Sequence, residues 1–153
     1  MNKTSKVCAL YIATLKAISL IHAHGHWTNK GIPFYGNHLL FERLYDSALD
    51  DLDLAAEKFM GLFGDEVLDY DLQVELLTKL LLKYKNLEGS PLEMSLSITK
   101  DFLKLSRDAY NLFKEEGKLE ESLGLDDMLM AIASNHETSV YLIQQVLKGK
   151  DHE

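Results

Sequence analysis

Histidine and carboxylate side chains recur at one spacing in the first half of the chain. His38 and Glu42 are four residues apart, and so are Asp53 and Glu57. On a helix this spacing puts both members of a pair on one face, one turn apart, where two side chains can share a metal ion. Mixed imidazole and carboxylate donors suit iron or another first-row metal better than an all-thiolate set, and carboxylates accept both ferrous and ferric ions. A further histidine, His26, precedes the single tryptophan, Trp27, within the run "IHAHGHWTNKG" of residues 21–31. Its neighbours do not complete a cluster if the stretch is helical. His24 points about 160° away from His26, and His22 lies about 40° off and one turn earlier. His26 is the candidate ligand, His22 a supporting or core histidine, and His24 part of another surface.

One straight helix cannot wrap both pairs round one ion, because Glu42 and Asp53 share a direction within about 20° but stand about 16 Å apart along the axis. Two copies can. If two chains cross antiparallel about a two-fold axis between Ser47 and Ala48, residue i lies level with residue 95 − i of the mate. His38 then meets Glu57, and Glu42 meets Asp53, in two equivalent sites. Ser47 and Ala48 are small enough for a close approach. Other antiparallel registers stay open, and so does the plainer reading of a solvated acidic face broken by one histidine.

The elements that must hold these residues read as helices. Proline occurs only at 33 and 91, and Gly31, Gly36, Gly64, Gly89, Gly117 and Gly124 fall where periodic segments stop. The breakers leave helical segments at 5–27, 36–63, 71–87, 92–116 and 125–148, with no strand-like alternation. The fold class expected is all-α, most simply a four-helix bundle with the shorter helix in the connection between its second and third long members. A chain of 153 residues is one domain, with 1–5 and 149–153 as flexible tails. Between residues 7 and 21 only Thr14, Lys16 and Ser19 are polar, which predicts burial on more than one side, by other subunits as well as by the helix's own bundle.

Composition narrows the function classes. The first 41 residues hold four lysines and no acid, a net +4, which leaves −12 for the rest of a chain of net charge −8. That balance argues against a protein that coats nucleic acid. The single cysteine, Cys8, forms no internal disulfide and suits a small buried side chain in a reducing, cytoplasmic compartment. The early apolar run lacks a small-residue cleavage site before the histidines, and no run approaches the roughly 18 uninterrupted apolar residues of a membrane span.

From His26 to His38 the chain reads H-W-x-x-x-G-x-x-F-x-x-x-H, with Asp53 and Glu57 following. This resembles the signature of the Dps-type mini-ferritins, the DNA-binding proteins from starved cells within the ferritin-like superfamily. The likeness is dense over 26–57 and coarse, through the helix layout, over the remainder. It implies a ferritin-like bundle assembled as a hollow dodecamer. It also implies ferroxidase sites across a two-fold interface, where Fe(II) is oxidised to Fe(III) by hydrogen peroxide or oxygen. The ferric mineral is stored inside, protecting against oxidative damage. Carried over by position, His26, His38 and Glu42 come from one subunit and Asp53 and Glu57 from its mate. Trp27 matches the tryptophan beside the iron, a role compatible with that of a core aromatic. Asp126 or Asp127 corresponds to acids lining a three-fold pore, although carboxylates at a helix start also suit its dipole.

Several features depart from the family. Aspartate is common where Glu42 stands, an acid is frequent where Leu39 stands, and the usual turn after the second helix is replaced by "MGLFGDEVLDYD". The N-terminus offers only Lys3 and Lys6 where DNA-binding members carry a lysine-rich tail, so DNA binding is expected to be weak or absent. The Glu-x-x-His pattern of ordinary ferritins and the H-E-x-x-H of zinc proteases are both missing. His136-Glu137 reads as an inner-face polar residue or a surface pair, and His152 falls in the tail. The competing class is a non-catalytic structural or DNA-associated helical protein that keeps the fold without oxidising iron.

Overall fold

The side chain of Asn2 accepts the Ser5 backbone N–H at 2.8 Å and starts helix α1, Lys3–Thr28. The structure, a computed structural model, describes residues 2–149, and every regular element there is helical. α2 spans Phe34–Phe63 and stops at Gly64, where a φ of 86° suits glycine alone. A 3₁₀ turn, Asp65–Leu68, leads to α3, Tyr70–Lys85, capped by the Asp69 side chain. α4, Pro91–Glu115, opens with Ser90 as its cap and Pro91 in the first turn, where a missing N–H costs nothing. A short α5, Lys118–Glu121, precedes α6, Leu123–Gly149.

The expected segments are all present, and α5 is an addition in a stretch read as a break. Residues 3–5, expected in a tail, belong to α1, and Thr4 and Ser5 are buried. The rest of the expected tails, with His152, lies outside the described residues apart from Asn2 and Gly149.

The four long helices share one core. Tyr11 of α1 packs edge-on against Phe59 of α2 and Phe102 of α4, with ring centroids 5.4 and 5.0 Å away. Leu125, Leu129 and Ile132 of α6 complete that cluster, while Phe41, Leu44, Leu92 and Ile143 form a second one.

The packing of α1 accounts for its apolar coverage. Apolar side chains surround it, and α2, α3 and α4 of the same chain cover it. Tyr11, Ala13, Leu15 and Ala17 are fully buried without any second subunit. α3 supplies part of this cover, through Leu77, Leu80 and Leu81. α1 also passes for a membrane span by length and mean hydropathy, yet 67% of the relevant window is buried inside the fold.

Candidate metal centre

Gly25 sets how closely α1 and α2 approach. A Cβ at that position would lie 2.5 Å from Cε1 of the fully buried Phe41, so only glycine lets this ring pack on the α1 backbone. Asn29 closes the helix, its Nδ2 donating to the Gly25 carbonyl at 3.0 Å. Gly31, at a φ of 94°, sits in the turn that leads to α2. The helices therefore meet with His26 against His38.

Each imidazole is fixed by the other residue's backbone. His26 Nδ1 lies 2.8 Å from the His38 carbonyl oxygen, and His38 Nδ1 lies 2.9 Å from that of His26. A carbonyl only accepts, so each Nδ1 carries a proton and donates, and in the neutral ring Nε2 keeps its lone pair. That is the form in which histidine ligates a metal, with the second nitrogen anchored. The two rings stack with centroids 3.6 Å apart and planes 18° from parallel. Phe34 also stacks on His38, and Tyr45 stands edge-on to His26. In-plane lone pairs on rings so arranged do not converge on one ion at a metal–nitrogen distance of about 2.0–2.1 Å. The pair addresses two neighbouring positions.

The carboxylates behave differently. Glu42, Asp53 and Glu57 are exposed, and none forms an ion pair among the described residues. They share an arc of about 80° on α2 with Tyr35, Leu39, Leu49 and Met60, each more than 40% exposed. No group of three or more His, Cys, Asp or Glu among the described residues is placed to hold a metal ion. The five expected ligands therefore do not assemble within one chain. Of the two small residues expected at a helix crossing, Ala48 is fully buried in the chain's own core and Ser47 is half-buried; Leu49 is the exposed neighbour.

The interior holds a polar set that the ligand search passed over. Asp51 is two residues from Asp53 but points to the opposite side of α2, and it is 4% exposed. Asn135 Nδ2 donates to its Oδ1 at 3.1 Å. His136 Nε2 approaches its Oδ2 to 3.1 Å, but neither atom has a well-aligned hydrogen bond, so proximity alone defines this contact. Nearby, His22 is completely buried with Nδ1 2.9 Å from Ser95 Oγ. Burial, and secondarily His136, pull the His22 imidazole down to about 3, so it is neutral in the folded chain. Both histidines are thus core residues, and His24 is exposed on another face. The helical angle between Asp51 and Asp53 was the available signal; the positions of His136 and Asn135 opposite Asp51 had none.

Trp27 is 71% exposed and is no core aromatic. Of the two acids compared with a pore lining, Asp127 is exposed, and Asp126 is half-buried beside Tyr110 of α4. The neighbouring Asp126 carboxylate raises the Tyr110 phenol above its ordinary value. No family model matches the chain, and no curated protein matches it.

Proposed function

We propose that the chain is a subunit of a mini-ferritin-type cage that oxidises ferrous iron and stores the ferric product. The observation that carries this reading is the His26–His38 pair, with both Nδ1 atoms tied to backbone and both Nε2 lone pairs available. Unpaired acids on the adjoining face of α2 support it. In the antiparallel register inferred from spacing, the mate's Asp53 and Glu57 face Glu42 and His38. The same register sets Tyr35 against Met60, two exposed apolar side chains that gain cover there.

Iron is the substrate and cargo. Each of two ferrous ions gives up one electron, and hydrogen peroxide accepts both as its O–O bond breaks to two hydroxides. The chain's own contribution is to offer hard carboxylate oxygens that stabilise the ferric state and two anchored imidazoles that address separate positions. Acids facing a cavity then concentrate cations for mineral growth. Net charge −8 and only two lysines in the first turn of α1 support a cage that does not rely on DNA.

A second reading keeps the helices and the cage but not the chemistry, and Leu39, exposed where an acid would seed mineral, favours it. Ferrous titration with peroxide, run beside Glu57→Ala with light scattering for assembly size, separates the two. Rapid oxidation that Glu57→Ala abolishes, on a particle of about a dozen subunits, supports the ferroxidase. An intact cage that oxidises iron no faster than buffer supports the structural reading, and a monomer without activity overturns both.

A further inference from the structure

Lys16 is the single lysine or arginine between residues 7 and 29, a stretch that contains no acid. It is half-buried, and a lone ammonium there must replace the water it gives up. Its partner is neutral: Nζ donates to Oε1 of Gln73 at 2.6 Å, and Gln73, on α3, is 4% exposed. Lys16 forms no ion pair among the described residues. The charge is therefore held in place without being cancelled. An acid stands close by all the same, since Lys16, Gln73 and Asp53 line one pocket of about 340 Å³ together with Leu49 and Tyr70.

We propose that Lys16, oriented by Gln73, is a fixed positive charge in the wall of the metal centre that makes it hold one divalent cation tightly and a second only weakly. The inference rests on the metal-site reading above. Charge counting gives its sign. Three carboxylates, from Asp53 and Glu57 with Glu42 of the mate, carry three negative charges, and the anchored imidazoles are neutral. With Lys16 in the wall, the site is electrically neutral once a single divalent cation has bound. A second cation then finds no net charge to attract it, and it would leave the site at +2 unless it displaces protons or brings an anion. Without Lys16, the site still carries one negative charge after the first cation and attracts the next. Salt screens charges over about 8 Å at physiological ionic strength, so Lys16 and Asp53, the one ligand that lines its pocket, continue to feel each other. Gln73 matters because a glutamate in its place would pair with the ammonium, whereas the amide fixes the side chain and leaves its charge.

Calorimetric titration with Zn²⁺, which has no redox chemistry, tests this on the assembled protein. The wild type should bind one zinc ion per chain, with a second at least about tenfold weaker. Lys16→Met and Gln73→Glu cancel the charge by unrelated routes, and both should bring the second ion to within about tenfold of the first. Lys16→Arg should keep the wild-type isotherm. Circular dichroism checks folding, and if Lys16→Met does not fold, Gln73→Glu alone carries the test. Isotherms of Lys16→Met and Gln73→Glu that superimpose on the wild type would overturn the role of Lys16 and leave the metal site standing. Two equal zinc ions in the wild type would do the same. Zinc binding that Asp53→Asn does not change would remove the metal-site reading itself.

Discussion

The two faces of α2 use the same chemistry in opposite ways. On the inner face Asp51 is buried and neighboured by Asn135 and His136, so its charge is answered within the chain. On the outer face Glu42, Asp53 and Glu57 are exposed and form no ion pair among the described residues. Two aspartates separated by a single residue thus have different surroundings, one tied to residues of α6 and the other open to solvent. Burial and pairing separate an acid that stabilises from an acid that is available, and residue type does not.

The sharpest way to break this contrast is to truncate both aspartates. Asp51→Ala leaves buried His136 without its carboxylate and should cost about 3–5 kcal/mol in urea unfolding. Asp53→Ala should leave stability within about 0.5 kcal/mol while slowing iron oxidation. Equal losses of stability would erase the distinction between the faces. Next in size is Gly25→Ala, whose new Cβ meets the Phe41 ring; overpacking of this kind should cost about 1–3 kcal/mol. It should also part His26 from His38 and so impair oxidation, which Asp51→Ala should spare where it remains folded.

A smaller effect follows from His22. Its imidazole titrates near 6.5 when unfolded and about 3 when folded, so the unfolded chain binds more protons throughout that window. Stability should therefore fall as the pH is lowered below 6.5, on the order of 1 kcal/mol per pH unit. Chemical denaturation between pH 6.5 and 5, before most carboxylates titrate, measures the slope, and His22→Leu should flatten it. The smallest change expected is from Leu39→Asp on the outer face. Stability should move by no more than about 0.5 kcal/mol, and mineral should form sooner after iron addition.

The sequence revealed a great deal of this layout where local rules apply. Helix breaks follow from Pro91, Gly64, Gly89 and Gly117, each acting on backbone within a few residues of itself, whereas the caps Asn2, Asp69 and Ser90 went unread. The His26–His38 pairing was also within reach, because both residues flank one short turn. What it hid were contacts between residues far apart in the chain. Apolar coverage of α1 said that the helix is buried but could not say that α3 does the burying. Lys16 and Gln73 are 57 residues apart and belong to no motif. Ala48 was read by its size, which suits a helix crossing, whereas its direction commits it to the core.

The cover that α3 gives α1 has a consequence for how the protein comes into being. A chain that closes its longest apolar surface by itself can reach its folded form alone, before it meets another copy. Folding and association then become successive events, each with its own concentration dependence. If the chain assembles as proposed, new subunits fold first as helical monomers, and their number, or the arrival of metal at the outer face of α2, then draws them together.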